Sequence, residues 1–266
     1  MSHPAKNLNL SENDLYNIFI MRHNDLDKGG WSPKRRRKFN YYLPSEYYEA
    51  ILNQLILKDT CWLDVGGGDS LFPDNKKLSI LLSERASLIV GVDPSENIME
   101  NPYVHERAKC KIETFSSHCK FHVATFRMVA EHINHPTNVI RKLNQLLQTG
   151  GKVVVFTVNL WSPLTIISRL LPFKYHYPIK KLFWGGEEKD TFPTCYKMNT
   201  RKSLKKLFIS NGFKEDLFMY LDDCVMFSKS KFLNLQELYL WRFFKKIGKP
   251  YPENCILSVY TKHQDI

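Results

Sequence analysis

Hydrophobic and polar positions follow several different periods along the chain, and each change of period marks an element. Residues 1–14 are polar and irregular. Residues 15–57 carry helical spacing, clearest over Ser45–Leu57, where Tyr48, Ile51, Leu52 and Leu55 share a face behind Pro44 and Ser45. A strand follows at TCWLDV (60–65), then three glycines and a loop with Pro73, a helix at KKLSILLSER, and a strand at SLIVGVD ending on Asp93. A shorter strand is predicted near 108–112 (AKCKI) and another at about 121–129 (FHVATFRMV). PTNVIRKLNQLLQ reads as an amphipathic helix stopped by Thr149-Gly150-Gly151, and GKVVVFTVN as a buried parallel strand, β-branched and almost continuously apolar.

Beyond Asn159 the pattern breaks. WSPLTIISRLLPFKYHYPIKKLFWGG is aromatic, apolar and interrupted by prolines. Helical spacing returns at TRKSLKKLFISNGF, ending at Gly212, followed by a strand at about 216–226, a helix near 231–246 and a last strand at CILSVYTK. Strands alternating with helices in this order predict an α/β fold: a doubly wound, mostly parallel seven-stranded sheet with helices on both faces and a lid from the N-terminal and inserted segments. The expected organisation is an N-terminal cap (1–44) over the ligand site, a ligand-binding core (45–159), a lid or substrate-binding insertion (160–200), and a C-terminal completion of the sheet (201–266).

Composition narrows the class. Of 266 residues, 43% are hydrophobic and 13% aromatic, enough for a packed core. No run of about 18 apolar residues argues for a membrane span, and MSHPAKNLNLSEND lacks the apolar stretch of a secretory signal. The six cysteines include no CxxC pair and read as reduced thiols in a cytoplasmic protein. Cys110, His118, Cys119 and His122 are too irregularly spaced for a zinc site, so no metal is expected. The net charge of +11 concentrates in Lys34-Arg35-Arg36-Arg37-Lys38, which reads as a solvated face, an anionic-substrate contact or a polyanion-binding surface.

The glycines fall where a doubly wound sheet binds ligands, at the carboxyl edge beside its first strand. A dinucleotide site wants G-x-G-x-x-G, and Leu71 stands where the third glycine belongs. Asp64 and Asp69 also place carboxylates where a pyrophosphate would sit, and like charges repel there. A ligand with an ammonium, a sulfonium and a free ribose diol removes the conflict. Asp64 then favours its amino-acid end, Gly66, Gly67 and Gly68 admit close backbone approach, and Asp93 at the end of the next strand accepts the ribose hydroxyls.

The motifs WLDVGGGDS, GVDPS (with Asp93 and Pro94) and FHVATFRMVAEHINHP leading to LLQTGGKVVVFTVN resemble the class I (Rossmann-like) S-adenosylmethionine-dependent methyltransferases, small-molecule (type 11-like) branch. The resemblance covers roughly residues 45–160 and implies S-adenosylmethionine as cofactor. It further implies that Arg127 and Met128 line the cofactor pocket, that Glu113 meets the adenine, and that N-terminal aromatics such as Trp31 and Tyr42 fold over the site toward the acceptor.

Methyl transfer needs an aligned nucleophile and, for a protonated acceptor, a base. His132, just beyond the fourth strand, is a base, a substrate contact or a structural histidine; Glu131 beside it is assigned to the substrate. Asp190, in DTFPT, is a base or a turn residue, and His176 a candidate facing the acceptor. Trp161 and Tyr196 flank the insertion and are assigned to the substrate pocket. Leu160–Trp184 reads as a lid or as an interfacial segment making peripheral membrane contact.

These readings predict a methyltransferase acting on O, N or C of a small, partly hydrophobic acceptor, a natural product or a lipid- or quinone-like molecule of secondary metabolism. An RNA methyltransferase using the basic N-terminal region, and a non-catalytic S-adenosylmethionine binder, are the alternatives. No NPPY-type motif or RNA-binding domain accompanies the charge, and no DNA partner is expected.

Overall fold

The computed structural model describes residues 8–24, 30–170, 193–224 and 226–266. Three N-terminal helices come first: α1 (Glu12–His23), α2 (Trp31–Phe39) and α3 (Pro44–Leu55). Then β1 (Cys61–Val65), α4 (Lys76–Arg85), β2 (Leu88–Val92), β3 (Glu106–Ala108), β4 (Phe121–Arg127), α5 (Pro136–Leu146) and β5 (Leu147–Val158) follow in βαβ order. The chain ends with α6 (Pro163–Leu170), α7 (Arg201–Ile209), β6 (Phe213–Asp222), α8 (Lys231–Lys246) and β7 (Glu253–Lys262). The seven strands form one sheet in the order β3-β2-β1-β4-β5-β7-β6. Five are parallel; β7 runs antiparallel to both β5 and β6.

Side chains alternate across this sheet and feed two cores. Trp62 and Ile89 join Ile18, Phe19, Ile51, Leu78 and Leu82 of α1, α3 and α4 on one face. Leu63, Val65 and Val90 join Val139, Ile140 and Leu143 of α5 and Leu204 and Phe208 of α7 on the other. A third cluster, Phe39, Tyr41, Cys224, Leu238 and Trp241, joins the N-terminal helices to α8. Helix starts follow local chemistry: Ser11, Asn75, Thr200 and Ser230 each cap a first turn through a side-chain oxygen.

Several boundaries differ from the sequence reading. Helix starts at residue 12 rather than 15, because Ser11 and Asp14 form a reciprocal capping box. The third strand lies at 106–108 rather than 108–112. It is an edge strand with exposed Glu106 and Arg107, so it carries no apolar signature, while Ile112 and Phe115 plug the core from the turn beyond. The penultimate strand runs 213–222 rather than 216–226 and begins directly after Gly212, whose carbonyl receives the amides of His263 and Gln264. Helix α5 stops at Leu146, before the glycines. Leu147 already pairs with Phe121, and Gly150, at φ +83°, lies in the bulge that precedes the Val123–Lys152 pair. The basic cluster on α2 is not uniformly solvated: Arg36 turns inward and is buried against Glu46.

Candidate functional site

The glycine loop leaves β1 at the carboxyl edge of the parallel strands. Gly66 donates its amide to Val92 O at 2.7 Å, carrying the β1–β2 ladder one residue further. Its φ is +72°, and a Cβ there would stand 2.1 Å from Val129 Cγ2, so no side chain fits. A Cβ at Gly67 would meet Asp64 Oδ2 at 3.0 Å. Gly68, by contrast, faces open space. The loop is held from behind by Asn101, fully buried, whose Nδ2 donates to the carbonyls of Gly67 and Gly68 at 3.1 and 3.2 Å. Arg127 donates to Ser70 O at 3.2 Å from the other side.

Two carboxylates flank this loop from adjacent strand ends. Asp64 is buried, and its Oδ1 accepts a 2.7 Å hydrogen bond from Thr125 Oγ1, which itself accepts from Trp62 Nε1 at 2.8 Å. Burial pushes the Asp64 carboxyl up to about 6, opposed by the Thr125 hydrogen bond and the Arg127 charge. Asp93 is half-buried; its Oδ2 accepts from Gly68 N at 3.2 Å and its Oδ1 from Ser95 N at 2.7 Å. Pro94 lies exposed at the head of the turn between them. A carboxylate offers about four acceptor positions, so Asp93 keeps room for hydroxyl donors from a ligand. These carboxylate acceptors suit a ligand with an ammonium and a diol and disfavour a pyrophosphate.

The ends of β4 and β5 form the neighbouring wall. Met128 takes a left-handed conformation, φ +56°, and donates its amide to Phe156 O at 2.8 Å. Glu131 is buried, its Oε2 accepting from Thr157 Oγ1 at 2.7 Å, and burial raises its carboxyl. Its backbone carbonyl receives the amides of Cys195 and Tyr196 at 2.6 and 3.1 Å, tying the returning segment to β4. Asn199 completes the tie by donating to Thr157 Oγ1 at 2.8 Å. His132 Nδ1 lies 2.8 Å from Pro193 O, an acceptor only, so Nδ1 carries the hydrogen of that bond.

The structure brings Asp64, Gly66, Gly67, Gly68, Asp93, Arg127 and Met128 to one strand edge, with Glu131, His132 and Tyr196 along it. Tyr196 has φ +51° and faces the Arg169 guanidinium. Glu113 is half-buried in the turn after β3. Trp161 is exposed beyond the end of β5, its amide bonded to Asn159 Oδ1 at 3.1 Å. Tyr42 is buried against Phe19 in the N-terminal helices. Trp31 opens α2, farther out, with Arg35 over its ring at 4.7 Å. Asp190 and His176 lie outside the described residues. Among the described residues, no group of three or more His, Cys, Asp or Glu side chains is arranged to hold a metal.

Sequence reasoning missed the residues that hold the loops. Asn101 is one. A buried network is another: Arg36 makes two hydrogen bonds to Glu46, at 2.8 and 3.1 Å, and Arg22 donates to Ser45 at 2.8 Å and to Asp74 at 2.5 Å. Glu49 accepts from Asn75 Nδ2 at 2.7 Å, and Asn75 caps α4 directly after the glycine loop. The N-terminal helices are thereby bonded to the loop's downstream end. Burial pushes the Glu49 carboxyl up to about 7 despite the Arg22 charge. Asp222, at the end of β6, is half-buried and accepts a hydrogen bond from the Trp241 indole.

A protein-family model described as "Methyltransferase domain" matches residues 36–216. The ubiquinone biosynthesis O-methyltransferase of Coxiella burnetii is 26% identical over 161 residues, an alignment taking in 57% of this chain and 66% of that protein. The chain thus spans just under two thirds of the length of these curated relatives. Among solved structures, the plantazolicin methyltransferase BpumL, in complex with a triazolic desmethylPZN analog and SAH, superposes with a TM-score of 0.51 at 16% identity, covering 96% of this chain and 100% of that one. A SAM-dependent methyltransferase from Methanosarcina mazei gives a TM-score of 0.50 at 14% identity, over 80% of this chain and 97% of that one. At these identities the structural likeness concerns the fold.

Proposed function

The chain belongs to the methyltransferase-domain family, and on that premise we propose that it transfers the methyl group of S-adenosylmethionine to O, N or C of a small, partly hydrophobic metabolite. The observation that carries the reading is the placement of Asp64 and Asp93 on adjacent strand ends around a glycine loop whose Gly68 faces open space. The name of the Coxiella relatives favours a quinone-like acceptor methylated on oxygen; a natural product is the broader class.

Bound S-adenosylmethionine supplies a methyl group activated by its sulfonium. Asp64 receives the ammonium end, directly or through water, with Thr125 fixing the carboxylate plane. Asp93 accepts the ribose hydroxyls while its existing bonds to Gly68 and Ser95 hold it in place. Backbone at Gly66, Gly67 and Gly68 allows close approach, Pro94 and Glu113 border the adenosine, and Arg127 and Met128 form the wall toward β4.

His132 is the proposed base. With Nδ1 donating to Pro193 O, Nε2 is the ring nitrogen that would take the proton of an O–H or N–H acceptor as that acceptor receives the methyl group. Asp190 and His176 are the competing candidates. Glu131 acts on the substrate side chiefly by fixing Tyr196, while Trp31 and Trp161 supply aromatic surface for the acceptor; Tyr42, buried against Phe19, packs the N-terminal helices instead.

The test is thermal unfolding with S-adenosylhomocysteine, with NADH and ATP as controls. Ligand at about 100 times its dissociation constant adds roughly 2.7 kcal/mol to stability. A shift with S-adenosylhomocysteine alone, lost in Asp93→Ala, is the expected result. A shift with NADH alone, or one that survives Asp93→Ala, overturns the cofactor or the ribose assignment respectively.

A further inference from the structure

Helix α8 carries two opposed faces. Asn234, Glu237, Leu238 and Trp241 are buried against the body of the protein. On the other side Phe232, Leu233, Tyr239, Leu240, Phe243 and Ile247 are exposed, Phe232 by 68% and Phe243 by 55%. Phe232, Tyr239, Phe243 and Ile247, with Leu233 and Leu240 beside them, lie seven, four and four residues apart and so share one helical face, an apolar stripe interrupted by the exposed Gln236. An exposed stripe of this kind marks a binding surface.

The charge around the stripe has one sign. Between Ser228 and Tyr251 the only acidic residue is Glu237, and it is buried. Lys231, Arg242, Lys245, Lys246 and Lys249 are exposed beside the stripe. Helix α2 adds its own cluster. Arg35 donates to the Lys231 carbonyl, Arg242 donates to the Lys38 carbonyl at 3.1 Å, and the Arg242 guanidinium covers the Phe39 ring at 4.1 Å. The fold thus lays the basic run 34–38 along α8, although about 200 residues separate them in the chain.

From this juxtaposition we propose that the exposed face of α8, with the basic edge of α2, docks onto an anionic lipid surface. Basic residues bordering an apolar helical stripe make an interfacial helix, with the apolar side chains entering the acyl boundary and the cations meeting the headgroups. At 16 residues, α8 is about 24 Å long, and no described helix is long and apolar enough to cross a membrane, so the helix lies in the surface plane. A single-stranded nucleic acid calls instead for aromatics interleaved with cations along a groove. Here aliphatic Leu233, Leu240 and Ile247 share the stripe, and the cations keep to its border.

The experiment floats the full chain with vesicles of phosphatidylcholine containing about one third phosphatidylglycerol, and with phosphatidylcholine alone. Binding to the anionic vesicles only is expected. Phe232→Asp with Phe243→Asp should weaken it at least about tenfold. Lys38→Glu with Lys246→Glu should weaken it at least about 25-fold, from about fivefold per basic residue. All four side chains are exposed and none is hydrogen-bonded to the glycine loop, so S-adenosylhomocysteine binding should stay unchanged. Absence of vesicle binding, or binding that the phenylalanine variants leave intact, overturns the proposal. So does loss of self-association in those variants without any lipid effect, which would make the face an interface between copies. So does single-stranded RNA bound through the same residues in place of vesicles.

Discussion

The side-chain amide of Asn101 lies 3.1 Å from the carbonyl oxygen of Gly67 and reaches the next carbonyl, of Gly68, at 3.2 Å. One buried side chain therefore sets the curvature of the loop from behind, at the end of the turn that begins with Asp93. Asn101→Ala leaves these carbonyls without that donor, at about 1–3 kcal/mol. Chemical denaturation should show that loss, and calorimetry should show weaker S-adenosylhomocysteine binding. Asn101→Asp, which keeps the size and removes the donor, should be at least as damaging.

Gly66 is required for two separable reasons. Alanine there meets a φ of +72° and a Val129 methyl at 2.1 Å. The left-handed conformation alone costs about 1–2 kcal/mol, and the clash adds to it. Gly66→Ala should be strongly destabilised, and Val129→Ala should recover only the steric part. Full recovery in the double variant would show that backbone conformation contributes little.

Ligand affinity should depend on pH through Asp64. Its carboxyl is raised to about 6, so it is neutral at acid pH and attracts an ammonium only once ionised. S-adenosylhomocysteine affinity should rise as pH passes through about 6 and level off above it. In Asp64→Asn the dependence should disappear. Calorimetric titration across this range decides it.

Glu49 should shape stability without ligand. Its carboxyl is raised to about 7 in the fold, against about 4.3 in an unfolded chain. In that window the native state holds more protons than the unfolded one, so stability falls as pH climbs from about 4.3 to about 7. Glu49→Gln, which retains an oxygen for Asn75, should flatten that decline in unfolding curves.

The sheet's centre was legible because both its faces are covered: β1, β2 and β5 are apolar runs bounded by glycine, aspartate or proline, β4 is an apolar run of its own, and α4 and α8 appear at the residues their spacing predicts. The edges were less so. β3 is three residues of largely exposed chain, and Ile112, just beyond it, imitated a strand residue while filling a turn. Asp64, Asp93 and the glycines could be located at strand ends from the sequence, because an apolar run stopped by glycine or by proline marks where a strand ends. Asn101, Glu46 and Glu49 could not, since what makes them matter is burial against partners far along the chain. Arg36 shows the limit most plainly. Its neighbours in the run Lys34–Lys38 are exposed or half-buried, and only the packing of α2 decides which guanidinium turns inward.

The insertion of β7 between β5 and β6 has a consequence for how the molecule is made. β6 is synthesised first, yet it has no seat in the sheet until β7 has paired with β5 on one side and accepted β6 on the other. While the ribosome is still translating α8, the nascent chain can assemble its parallel half but must leave the β5 border unpaired and β6 adrift. Such long-range pairings form slowly, and bare strand borders invite intermolecular association. Maturation of this protein thus has a late vulnerable interval, closed by one strand completing two ladders.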